Sequence, residues 1–218
     1  MRSTSFLWPT GPNTAPVVHV RVVDSSGDVL VTHPFFSRRT IFVPRTELVD
    51  PKAVRSGSIL LVVTSRQQDG STYGSARSPA VVSGLLAAFV PEVLSGDVRI
   101  VQAARIPGLR TKVLVAATRE GVDPVRATIG TAGHRVRLLN RMLQGERIEV
   151  VRYHRDIQRL VAAAMAPATP TAVQIHDDVF LVQVPAPQMR AAIGVRGSNL
   201  KLASELCGGR KIKVVSGG

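Results

Sequence analysis

The chain has too little cysteine to be held together covalently. Cys207 stands alone, so no internal disulfide can form and the sequence suits a reducing compartment. This lone thiol reads as a small apolar residue near a helix end rather than as a nucleophile. Long apolar runs are missing too. None approaches the ~20 residues that cross a bilayer, and the longest candidate, 81–90, fits one amphipathic helix. Phe6-Leu7-Trp8 is too short for a signal-peptide core, so the expected location is cytoplasmic. Aromatic residues are only 4% of the chain, which excludes stacking as the main mode of contact in the C-terminal half. Acids are scarce as well: 15 Asp and Glu against 28 Lys and Arg leave a formal net charge of +13. Such an excess points to a polyanion, with nucleic acid the first candidate. A membrane surface is not expected as partner, because the charge is mostly arginine spread along the chain rather than a lysine cluster or a basic amphipathic helix.

Catalytic signatures are missing in the same way. A dinucleotide site needs a third glycine and a later acidic residue, and a P-loop needs Gly-Lys-Ser/Thr; neither is complete here. His19, His33, His134, His154 and His176 are scattered without metal-ligand spacing. Asp177-Asp178 lies between two strand-like runs and reads as a hairpin turn. No metal, cofactor, catalytic residue or small-molecule substrate is therefore expected, and an RNA-processing enzyme is the weaker alternative.

What the sequence does contain is a duplicated glycine motif. In residues 187–206 a short apolar helix, with Met189, Ala192 and Ile193 on one face, runs into Gly194-Val195-Arg196-Gly197, and a second helix begins at Ser198. Glycines let the backbone take angles closed to other residues, and the helix start offers N–H donors and partial positive charge to a phosphate. Main-chain groups of Gly194 to Gly197 are the expected phosphate clamp. Arg196 and Lys201 would supply its charge, Asn199 a polar contact, and Ser198 the helix cap. The same plan occurs upstream, where 123–129 leads into Gly130-Thr131-Ala132-Gly133 and a helix with Val136, Leu139 and Leu143 on its apolar face. Arg135, Arg137 and Arg141 would then face water or RNA. Thr131 and Ala132 leave this first loop uncharged, with His134 and Arg135 just beyond it. Strand-like runs at 112–117 and 147–152 accompany the first copy, and runs at 172–175, 180–184 and 211–215 the second. A glycine loop between two helices in such an α/β module is the pattern of a KH domain, which clamps about four nucleotides of single-stranded RNA.

Ahead of the repeats the pattern changes to short strands at 17–23, 29–32, 40–43, 59–64 and 72–77, separated by turns rich in Ser, Gly, Asp and Pro. Five strands in so short a stretch suit an OB-fold barrel. Phe35, Phe36 and Phe42 read either as barrel core or as a stacking face. The expected organisation is multidomain: a disordered leader over 1–16, a small all-β OB-fold barrel over 17–78, a linking helix and strand over 79–104, and two tandem α/β type II KH domains over 105–168 and 169–218.

Several segments resemble the NusA family of bacterial transcription factors. They are Gly96-Asp97-Val98-Arg99-Ile100, Ala104-Arg105 with Pro107-Gly108 and Arg110-Thr111-Lys112-Val113, Asp123-Pro124-Val125, Gly145-Glu146-Arg147-Ile148, and Ala164-Met165-Ala166-Pro167-Ala168. Ala192-Ile193-Gly194, Gly197, Asn199 and Leu202-Ala203 complete the set. The barrel resembles the family more weakly, through Val43-Pro44-Arg45-Thr46-Glu47 and Ser75-Ala76-Arg77-Ser78. This resemblance implies contact with RNA and a role in transcription pausing, termination or antitermination beside RNA polymerase. Residues 1–16 are too short for the helical domain through which the family grips polymerase, so the expectation is a shortened relative. The alternative partner is a ribosomal particle or its precursor.

Overall fold

The computed structural model describes residues 16–217, so the expected leader lies outside the described residues except for Pro16. The chain divides into two compact units, one ending at Phe89 and the other beginning at Val90.

In the first unit, β1 (Val17–Asp24), β2 (Val29–Pro34), β3 (Ile41–Pro44), β4 (Ile59–Arg66) and β5 (Thr72–Ser75) close a barrel in the order β1-β2-β3-β5-β4. β4 pairs back on β1, and only β3 and β5 run parallel. Alternation sets the inside: Val20 and Val22, Leu30 and Thr32, Ile41 and Val43 are buried, while Arg21 between the first two is exposed and Val31 and Phe42 between the others are half-buried. The Thr32 hydroxyl is satisfied by the Ile41 carbonyl at 2.7 Å. A Cβ on Gly74 would come within 3.0 Å of the Val43 side chain and 3.1 Å of that of Ile41, so this narrow interior needs a glycine there. The helix expected as part of the link, α1 (Ala80–Phe89), packs on β1 and β4. Phe35 and Phe36 are not core residues: Phe35 is 42% exposed and Phe36 fully so, while Phe42 is half-buried against Tyr73. They follow β2 on the turn into β3, beyond the reach of the strand alternation that fills the barrel.

The second unit contains two copies of one module. The first comprises α2 (Pro91–Leu94), β6 (Val98–Ile106), β7 (Arg110–Ala117), α3 (Pro124–Ile129), α4 (His134–Met142) and β8 (Arg147–Arg152). The second comprises α5 (Ile157–Ala164), β9 (Ala172–His176), β10 (Val179–Pro185), α6 (Met189–Ile193), α7 (Ser198–Leu206) and β11 (Lys211–Gly217). Each has a three-stranded sheet whose first two strands are antiparallel and whose last joins the middle strand in parallel. These are two tandem type II KH domains, following an OB-like barrel in chain order. The expected boundary at 104/105 falls inside β6, which pairs with β7 from Val98 to Ile106 and so belongs to the first sheet rather than to a link. α5, expected at the end of the first domain, packs on β9 and α7 as well as on β8.

Local sequence accounts for where the helices begin. Asp123 accepts hydrogen bonds from the Val125 and Arg126 amides with Pro124 at the first helical position, and Asp156 accepts from the Arg159 amide. One buried core then runs through both modules, from Ala104, Leu114 and Val151 of the first to Phe180, Val182, Leu202 and Leu206 of the second. α7 lies on β6 and β7. Lys112, fully buried, donates to the Ala166 carbonyl at 2.6 Å and pairs with Glu149 at 2.8 Å, so a charge also bridges the modules. Desolvation pulls its ammonium below the ordinary lysine pKa even with Glu149 beside it.

Candidate nucleic-acid interface

Both glycine loops are built by the same backbone. Gly130 and Gly194 have φ 75° with ψ 171° and 168°; Gly133 and Gly197 have φ 75° and 72° with ψ 17° and 13°. Between them, Ala132 (φ 48°, ψ 26°) and Arg196 (φ 51°, ψ 35°) also sit in the left-handed region, an uncommon place for residues with a Cβ. Each loop thus has left-handed residues at its first, third and fourth positions, in two segments that differ entirely at their second and third side chains. This geometry bends the chain sharply between two short helices and presents its tip outward. Thr131 and Ala132 are exposed in one loop, Val195 and Arg196 in the other.

The chemistry of the tips differs. The second carries Arg196, with Lys201 exposed one turn further on and Arg190 on the preceding helix. The first has no charge between its glycines; exposed His134, Arg137 and Arg141 follow on α4, and Arg126 lies on α3. The Arg137 guanidinium donates to the Ala132 carbonyl, which ties part of that charge to the loop itself.

Three of the expected contact residues are placed otherwise. Asn199 is fully buried, and its side-chain amide donates to the carbonyls of Met165 and Ala192, both at 3.0 Å, so it belongs to the interior. Ser198 is also buried, and the position before α7 is taken by left-handed Gly197 with no side-chain cap, so Ser198 does not cap the helix. Arg135 does not project freely toward solvent. It pairs with Glu92 of α2 at 2.7 Å and donates to the Ala127 carbonyl. Gly130, Thr131, Ala132, Gly133 and His134 lie together at the first tip, and Gly194, Val195, Arg196, Gly197 and Lys201 at the second. Sequence reasoning missed the inward roles of Asn199 and Arg135. The available sign was their shared position, two residues past the second glycine of each loop.

A buried ion pair supports the first module at the turn between β6 and β7. Glu146 receives Arg105 in two hydrogen bonds of 2.9 Å, together with the Gly108 amide at 2.8 Å and the Thr111 hydroxyl at 2.5 Å. Burial alone would raise its pKa; the bonds from Arg105, Thr111 and Gly108 outweigh that and hold the carboxyl below its ordinary value. Cys207 is buried, and desolvation pushes its thiol up to about 11, which removes it as a nucleophile at neutral pH. Among the described residues there is no group of three metal-ligating side chains, and no helix is long and apolar enough to cross a membrane.

Comparison with known proteins agrees with the duplicated geometry. Residues 76–153 match the model of the NusA-like first KH domain, and residues 157–218 that of the NusA-like second KH domain. Among similar proteins, all titled transcription termination/antitermination protein NusA, that of Thermus thermophilus is 30% identical over 193 residues, covering 85% of this chain and 49% of its own. The Mycobacterium tuberculosis protein is 34% identical over 175 residues, covering 77% of this chain and 50% of its own. That of Halalkalibacterium halodurans is 37% identical over 132 residues, covering 60% and 35%. The chain therefore spans half or less of the length of these relatives. With two consecutive domain matches and the same loop built twice, the chain belongs to the NusA-like family of tandem KH proteins.

Proposed function

We propose that the chain binds an unpaired RNA strand through its two glycine loops and acts in transcription termination or antitermination in the cytoplasm, beside RNA polymerase. One observation carries the reading: two exposed tips of equal backbone geometry, in modules that share a core, on a chain of formal charge +13. Main-chain groups of Gly194 to Gly197 hold the sugar-phosphate chain, and Arg196 and Lys201 neutralise phosphates. Gly130 to Gly133 take the neighbouring part of the strand with less charge, aided by His134. The groups invoked at these tips are main-chain amides and cations, which suit holding a strand, so the reading is binding without turnover.

The test is fluorescence anisotropy with a labelled, unstructured RNA and a Val195→Asp/Arg196→Asp double variant. Both side chains are exposed, so the fold should survive, while two carboxylates at the tip repel phosphate and weaken binding on the order of ten-fold or more. Unchanged affinity would exclude this loop as the clamp. For the transcription role, polymerase should stay with the chain in pull-downs after ribonuclease digestion; co-sedimentation with ribosomal particles alone would overturn it.

A further inference from the structure

The two residues that sequence reasoning placed in contact with RNA, and that the structure turns inward, occupy equivalent positions. Arg135 and Asn199 each lie two residues after the second glycine and five after the first. Both sit directly behind the first glycine. A Cβ on Gly194 would be 2.6 Å from the Asn199 amide nitrogen and 2.9 Å from its Cβ, and a Cβ on Gly130 would be 2.7 Å from Arg135 Cγ. Both donate to a carbonyl of the short helix before the loop, Ala192 in one case and Ala127 in the other. Both also reach the first helical segment of their own module: Asn199 the Met165 carbonyl at the end of α5, and Arg135 the Glu92 carboxylate on α2.

From this equivalence we infer that Arg135 and Asn199 are positioning residues that brace the two glycine loops from behind, and that the two braces differ in kind. That of the second loop is neutral and fully buried, and it is touched from the first module by Arg110, 3.5 Å from the Asn199 side-chain oxygen. That of the first loop hangs on an ion pair whose side chains are 27% and 32% exposed. Water and salt weaken such a pair, whereas they do not reach the buried amide. The first loop is therefore the adjustable one: its binding-ready shape is populated in proportion to the Arg135–Glu92 pair, and its apparent affinity falls by the fraction lost. This rests on the RNA-binding reading only for its consequence, not for the brace itself.

Glu92→Gln in the full chain tests it, because Glu92 lies on α2, outside both loops, and the substitution keeps the shape while removing the charge. In the absence of RNA, backbone NMR order parameters at 131–133 should drop in the variant and those at 195–197 should not. Raising potassium chloride on the unmodified chain should produce the same selective loss. Affinity for the labelled RNA should weaken about two- to five-fold, the range set by a partly exposed pair. The sign is diagnostic, since deleting an acid from a basic protein would by charge alone tighten RNA binding. Unchanged order at 131–133, or tighter binding by the variant, would overturn the brace. A chain that binds no RNA but loses order at 131–133 would sink the proposed function and leave the brace standing.

Discussion

Replacing Gly194 by alanine is the sharpest probe of the second loop, because two separate costs meet there. At φ 75° and ψ 168° the residue occupies a region essentially restricted to glycine, worth about 1–3 kcal/mol to any other residue. The added methyl would also lie 2.6 Å from the backbone nitrogen of Asn199 and 2.9 Å from the Ser198 hydroxyl. That nitrogen cannot retreat cheaply: it opens α7, whose Leu202 and Leu206 are locked in the core shared by both modules. The sum is about 3 kcal/mol or more, a fall of about 10 °C in the midpoint of the C-terminal unit at roughly 3–4 °C per kcal/mol. Gly197 is the internal control. It is also left-handed, at φ 72° and ψ 13°, but its Cβ would meet nothing within 4 Å. Alanine there costs about 1–2 kcal/mol in conformation, part of which is returned by a less disordered unfolded chain. Gly130 should fall between, since it has the backbone of Gly194 but its methyl would strike the flexible Arg135 side chain. Thermal and urea unfolding followed by circular dichroism should rank the losses Gly194→Ala, Gly130→Ala, Gly197→Ala. Equal losses at Gly194 and Gly197 would refute the close contact behind the loop.

Glu146→Gln should cost about 3–5 kcal/mol, because it strips the carboxylate from an Arg105 side chain that is 1% exposed. The same carboxyl sets an acid limb. Its pKa is depressed on folding, so its stabilisation is complete above its ordinary unfolded value of about 4.5 and is lost as the pH falls through the lower folded value. Urea midpoints over that window should slope less in the Gln variant, and parallel slopes would count against the pair. At the uncharged tip, Ala132 occupies the place that Arg196 holds in the other loop, so Ala132→Arg should add one phosphate contact. The plot of log affinity for single-stranded RNA against log salt should then steepen by about 0.7, and an unchanged slope would mean that the first tip does not face the backbone.

Much of this structure was legible because its elements have strong local causes. β8 runs over 147–152 as read, and β10 and β11 extend the runs at 180–184 and 211–215 by only one or two residues, because alternation or a short apolar run marks them. The left-handed tips follow from glycine pairs at equal spacing. What escaped was decided by tertiary partners. β6 looks like a connection until β7 turns back along it. Asn199 and Arg135 look like surface residues at a helix start, and only the carbonyls and the carboxylate brought up behind them turn them inward. Phe36 has the composition of core but stands on a turn that the barrel never covers. A polar residue at a fixed offset from a duplicated glycine pair is a better sign of a brace than of a contact, since a loop open to a ligand must be held from its other side.

The same reasoning explains why a lysine is buried between the modules. Burial suits the apolar stem of Lys112 but not its ammonium, and an ammonium buried without a partner is costly enough to exclude most arrangements. Its pairing with Glu149 is made inside the first sheet, where the two are cross-strand partners, but its bond to the Ala166 carbonyl is available only when β7 meets the segment after α5. A shifted docking would take away the Ala166 carbonyl and leave the buried ammonium with Glu149 alone. The apolar core therefore makes the modules adhere, and the buried ion selects how. A strand that engages both loops then meets them at one fixed separation, so the second contact forms without a further loss of freedom between the modules. The rigid register between modules and the softer Arg135–Glu92 brace within one of them divide the work: the spacing of the two tips is set by the fold, and the readiness of the first tip by a pair that salt can reach.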